Sequence, residues 1–143
     1  MSLSNDCCHL YGSYVNHNGQ PLTCFEEFEN QMEVNGDQQN QPMLIETNGT
    51  MKSYNDLKCS ISGIVNLLTL NGCTKADKPI AVFLPPGCGR IAVFLSLNYL
   101  GIPYVPLDPV QAIEQRNYIL QHCEAQALLT MDGKFYIQHQ SNS

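Results

Sequence analysis

The chain has 143 residues, 43% apolar and 14% charged, which allows one domain with a real core and a surface that leans on Asn, Gln and Ser. Seven Lys plus Arg against thirteen Asp plus Glu leave a net charge of −6, so there is no basic patch to offset phosphates and nucleic acid is excluded as a partner. No apolar run approaches the ~18 residues of a membrane helix, and the opening MSLSNDCCHLYGSYVNHNGQ lacks the positive start and apolar stretch of a secretory signal.

Residues 1–21 are polar and aperiodic and read as a mobile leader. The seven cysteines of the chain, without an export signal, read as reduced thiols of a cytoplasmic protein. Cys7, Cys8, His9 and His17 lack the C-x2-C spacing of a zinc site, so no metal ligand is assigned to them. Thr23-Cys24-Phe25-Glu26 has capping-box form, and Phe25, Phe28 and Met32 follow at helical spacing with Glu26, Glu27 and Glu29 on the solvated side. NGDQQNQP reads as the loop that ends this helix.

In MLIETNGTMKSY, two short extended segments surround Asn48-Gly49, a strong hairpin signal. Ser53 to Asp56 forms a second capping-box candidate, with Asp56 reaching back less far than Glu would. Behind it Leu57, Ile61, Ile64, Val65 and Leu68 make one apolar helical stripe, which Asn71-Gly72 closes. IAVFL is apolar without alternation, the pattern of a strand buried on both faces. Pro85 to Gly89 breaks it, IAVFLSLNYL follows as a helix ending at Gly101, and YVPL is the next strand. Pro106 is tolerable there only at an edge or bulge.

Asp108 is predicted to cap, and Pro109 to open, the helix AIEQRNYILQHC, after which ALLT is a third buried strand. Asp132-Gly133 can turn the chain into a short extended FYI. Strands alternating with helices predict an α/β fold, a mostly parallel sheet flanked by helices with a short amino-terminal hairpin.

Chemistry is harder to find. IAVFL-PPGCGR-IAVFLSL places a Gly-containing turn between strand and helix, the setting of a phosphate loop, with Arg90 to add charge. The full G-x-G-x-x-G is absent, however, and no G-K-S or G-K-T follows; two prolines and two glycines here are equally the turn a buried strand needs. His122-Cys123 closes a helix without the form of an activated pair. Glu26, Glu27 and Glu29 look like surface. The residues alone support a fold and designate no catalytic, cofactor-binding or metal residue.

LNYLGIPYVPLDP resembles the second core motif of adenylate-forming enzymes, the superfamily of acyl-CoA synthetases and nonribosomal peptide synthetase adenylation domains, where the run is similar to L-K-A-G-x-A-Y-V-P-L-D-P. Gly101 and Tyr104 to Pro109 match, while Asn98, Tyr99, Leu100 and Pro103 depart. KSYNDL is similar to the first core motif L-[TS]-Y-x-E-L: Ser53, Tyr54 and Leu57 match, Asp56 is conservative, and Lys52 replaces an apolar residue. Downstream, DPVQAIEQRNYIL resembles D-P-x-x-P-x-E-R-x-x-Y-M-L, with Ala112 in place of proline and Gln115 in place of arginine. The resemblance favours the amino-acid-activating branch. It implies residues 22–131 as the amino-terminal portion of an adenylation domain, with 132–143 a divergent tail.

In the family a carboxylate attacks the α-phosphate of ATP, with magnesium, and the acyl-adenylate passes to coenzyme A or a phosphopantetheine arm. The phosphate loop, ribose-binding aspartate, substrate pocket and mobile-domain lysine all follow the region matched here, so the resemblance implies no cofactor held by these residues themselves. It implies a fragment or truncated form, inactive alone, whose partners are the remainder of the domain and a carrier domain. Two other readings stand beside it: a non-catalytic interaction or regulatory module, and a small nucleotide-binding α/β domain using the Gly87–Gly89 turn.

Overall fold

The computed structural model describes residues 22–34, 40–74, 77–130, 132 and 134–137. The cysteine and histidine cluster at 7–17 lies outside them, as does most of the NGDQQNQP stretch.

Strand β3 (Ile80–Phe83) organises the rest. It lies between β4 (Tyr104–Pro106) and β5 (Ala127–Thr130), both parallel to it, and β6 (Phe135–Ile137) joins β5 antiparallel. From β3 the chain crosses to one neighbour through α3 (Cys88–Leu100), then back past β3 to the other through α4 (Ile113–His122). Right-handed crossovers taken in opposite directions put their helices on opposite faces of a sheet. Accordingly Ile80 and Val82 pack with Val93 and Leu97 of α3, while Ala81 packs with Leu107 and Ala125, against which Ile119 and Leu120 of α4 rest. Ile80, Ala81 and Val82 are all buried, which is why IAVFL shows no alternation.

The outer layer is built from the amino-terminal elements. Helix α1 (Cys24–Val34) opens with the expected box: the Glu26 N–H donates to Thr23 Oγ1 at 3.2 Å and the Thr23 N–H to Glu26 Oε2 at 2.7 Å. β1 (Pro42–Ile45) and β2 (Met51–Ser53) pair antiparallel. Their loop has three residues between Glu46 and Thr50, and Gly49, at φ +84°, donates back to the Glu46 carbonyl at 2.9 Å. A type I turn followed by a left-handed residue gives this geometry.

Ser53 then caps α2 (Tyr54–Leu70), and Asp56 closes the second box despite its shorter side chain. The bonds from Ser53 hold the Asp56 carboxyl below its usual range, as those from Thr23 do for Glu26. Leu57, Ile61 and Leu68 face inward as the stripe requires. Gly72, at φ +70°, ends the helix: its N–H donates to Thr69 and that of Cys73 to Leu68, the Schellman arrangement. Ala92 and Ser96, one turn apart on α3, are small enough to bring α2 close. The buried Ser96 hydroxyl is satisfied by the Ala92 carbonyl at 2.7 Å.

Two helix starts differ from the sequence expectation. Helix α3 begins at Cys88, three residues before Ile91, so Gly89 and Arg90 lie in its first turn. Helix α4 begins at Ile113 rather than behind Asp108-Pro109. Asp108 caps a separate turn instead, its carboxylate accepting from the Val110 N–H at 2.9 Å and its carbonyl from the Gln111 N–H at 3.1 Å. Ala112 is then extended before the helix can start. An Asp is equally suited to either role, because both satisfy a free N–H two residues on. Pro106 does sit on an edge strand: Leu107 donates to Val82 at 2.9 Å, so by the alternation of a parallel ladder the missing N–H at 106 points away from β3.

Leu97 is fully buried between α3 and the sheet, whereas Leu70 is 87% exposed. Leu97→Ala is expected to lower unfolding free energy by about 2–5 kcal/mol in urea titration, and Leu70→Ala by less than about 0.5 kcal/mol.

Candidate functional site

Open parallel sheets bind ligands beyond the carboxyl ends of their strands, beside helix amino termini. In this chain that position is the turn Leu84–Gly87 leading into α3. It is occupied from within. Glu46, projecting from the end of β1, accepts the Cys88 N–H on Oε1 at 2.8 Å. Its Oε2 lies 2.8 Å from where a Cβ on Gly87 would stand, and Gly87 has φ +151°, a conformation other residues rarely adopt. The backbone angle favours glycine at 87, and a Cβ there would push aside the flexible end of the Glu46 side chain. The carboxylate supplies the negative charge that the positive end of α3 attracts.

The neighbouring cations are engaged as well. Arg90 Nε donates to Tyr104 Oη at 3.0 Å, and the Tyr104 ring meets Phe94 edge-on. Arg116 lies over the Phe83 ring at 4.5 Å and donates to the Pro109 carbonyl at 3.3 Å. Neither guanidinium is directed at an empty cradle. The Cys88 thiol is pushed up by burial and by the facing Glu46 carboxylate, the reverse of what a thiolate nucleophile needs. Cys73 is pushed up by burial alone. His122 Nδ1 lies 2.8 Å from the Tyr118 carbonyl with its ring stacked on Tyr118, while Cys123 Sγ faces the Leu120 carbonyl. The pair is absorbed by its own helix.

Among the described residues no group of three or more His, Cys, Asp or Glu could hold a metal ion. Among these residues, too, no helix is long and apolar enough to cross a membrane.

Glu46 escapes sequence reading because its partner is 42 positions away. The only local sign is an acidic residue just before a hairpin loop, which is common on surfaces. A second feature missed by periodicity is a concavity of about 370 Å³ between α1 and α2, with Phe25, Phe28, Met32, Ile61 and Val65 among its apolar lining and Tyr99 of α3 beside them. The stripes of both helices are legible in the sequence, but not the concavity they line together.

The motif residues of the second core resemblance have visible structural tasks. Gly101 ends α3 at φ +67°, Tyr104 holds Arg90, Leu107 is buried, and Asp108 caps a turn.

Comparison with known proteins gives a consistent family. The description "AMP-binding enzyme" matches residues 28–143. The hybrid PKS-NRPS synthetase LUC5 of Fusarium sp is 35% identical over 81 residues, 57% of this chain and 2% of that protein. Surfactin synthase subunit 1 of Bacillus subtilis (strain 168) is 30% identical over 109 residues, 76% of this chain and 3% of that protein. The Klebsiella oxytoca NpsA N-terminal subdomain superposes with a TM-score of 0.63 at 15% identity, covering 76% of this chain and 27% of that one. The chain thus spans a few per cent of these synthetases and about a quarter of the solved structure.

Glu46→Ala is expected to destabilise the fold by about 1–2 kcal/mol, the usual cost of a lost cap. In the native chain, ATP titration followed by amide NMR should leave Gly87 and Gly89 unmoved. Saturable shifts at both glycines would show that the carboxylate gives way to phosphate.

Proposed function

Because this chain belongs to the AMP-binding enzyme family, we propose that it forms the amino-terminal structural portion of an adenylating domain, one that activates a carboxylate, of amino-acid class, as an acyl-adenylate for transfer to a thiol. The observation that carries the reading is the family match over residues 28–143. Residues from 22 onward make the parallel sheet and its helices. The groups that bind ATP and magnesium, and that choose the acyl substrate, belong to later segments of an intact family member. The thiol acceptor is coenzyme A or, given the synthetase relatives, a phosphopantetheine arm on a carrier domain.

The contribution of these residues is positional. Charge stabilisation at a phosphoryl centre needs preorganised cations and donors. Here Arg90 Nε, Arg116 Nη1 and the Cys88 N–H at the start of α3 each have an internal partner. What the segment supplies is a rigid sheet, whose α4-side face retains half-buried Phe83, Val105 and Leu128 for the rest of the domain to cover. The interaction-module reading uses this same face. The nucleotide-binding reading is disfavoured by Glu46 at the turn it requires.

A segment exchange tests the proposal. Residues 28–143 would replace the matching segment of an active AMP-binding enzyme of known amino-acid specificity, and amino-acid-dependent ATP–pyrophosphate exchange would be measured. Retained exchange with the host's specificity is expected, because the transplanted residues choose no substrate. A soluble, cooperatively folding hybrid whose preferred amino acid has changed would contradict it.

A further inference from the structure

The groove between α1 and α2 runs from Phe25 to Glu33 on one wall and from Lys58 to Asn66 on the other. At 1.5 Å per residue it is about 12 Å long, two turns of helix. Its floor is apolar. Its α1 rim carries Glu29 and Glu33, one turn apart, and its α2 rim carries Lys58, Ser62 and Asn66. Glu26 is spent on the Thr23 cap and Glu27 accepts from Gln31. Among the described residues an ion pair joins Lys134 to Asp132, and neither Glu29 nor Glu33 pairs with another described residue. The charge is lopsided well beyond the groove: the first 51 residues hold seven of the thirteen carboxylates and no Lys or Arg.

We propose that this groove docks a basic amphipathic helix of a partner protein, with apolar side chains on the Phe25–Phe28–Met32–Ile61–Val65 floor and a Lys or Arg pair one turn apart on Glu29 and Glu33. A helix laid between two helices buries its apolar stripe in the ready-made depression. The i, i+4 carboxylate spacing selects the matching cation spacing on the incoming helix. The chain itself does not supply this occupant. Residues 1–21 contain no Lys or Arg. Helices α2, α3 and α4 carry one each, Lys58, Arg90 and Arg116, and α1 none, so no described helix of a second copy presents the required pair.

The test uses the full chain and two labelled 16-residue helical peptides with the same leucine stripe, one flanked by lysines at i and i+4 and the other by glutamates. Fluorescence anisotropy should show the lysine peptide binding at least tenfold more tightly, with affinity falling as salt rises. The double variant Glu29→Gln, Glu33→Gln should weaken the lysine peptide about tenfold and leave the glutamate peptide unchanged. Glu114→Gln, on α4 away from the groove, should change neither. Circular dichroism of each variant checks that the fold is kept. Equal binding of both peptides, indifference to the double variant, or no binding of the lysine peptide at millimolar concentration overturns the proposal. None of these outcomes depends on adenylating activity.

Discussion

Burying β3 on both faces is the constraint from which the other elements follow. Ile80, Ala81 and Val82 expose almost nothing, and with side chains alternating up and down each face needs its own cover. Helix α3 covers the Ile80–Val82 side and in turn needs α2 behind it, which Ala92 and Ser96 allow to approach. The Ala81 side is closed by Leu107, Ala125 and, more loosely, by α4, which has no fully buried residue. One face is therefore well finished and the other is thinly covered. That asymmetry fits a sheet whose second face serves further parts of a larger domain.

The hairpin is tied into this arrangement by a single carboxylate. Glu46 brings β1 to the start of α3 and neutralises the helix end that would otherwise attract an anion. The same contact fixes Gly87 in a conformation that only glycine tolerates easily. A strand, a glycine turn and a helix start make a phosphate site only if the backbone donors are free. Here the donor at Cys88 is committed to Glu46.

Much of the local structure was legible because its causes are local. Thr23 with Glu26 and Ser53 with Asp56 announce helix starts within four residues, Gly72 and Gly101 announce helix ends, and the unbroken IAVFL announces double-sided burial. Pro106 narrowed β4 to an edge or a bulge, and it lies on an edge strand. The readings that missed were choices between equivalent local solutions, as when Asp108 capped a turn and left α4 to begin at Ile113. Glu46 and the α1–α2 groove were not legible, because each depends on segments distant in sequence. The resemblance of YVPLDP identified the family, yet its residues hold backbone and packing in place, which is why the motif could be read without revealing any chemistry.

On the proposed function, these residues frame an adenylating domain and do not themselves activate a carboxylate. Amino-acid-dependent ATP–pyrophosphate exchange by the purified 143-residue chain, with each proteinogenic amino acid and magnesium, tests it most directly. Exchange indistinguishable from a no-enzyme control is expected for every amino acid. Exchange that saturates with one amino acid and scales with chain concentration would contradict it.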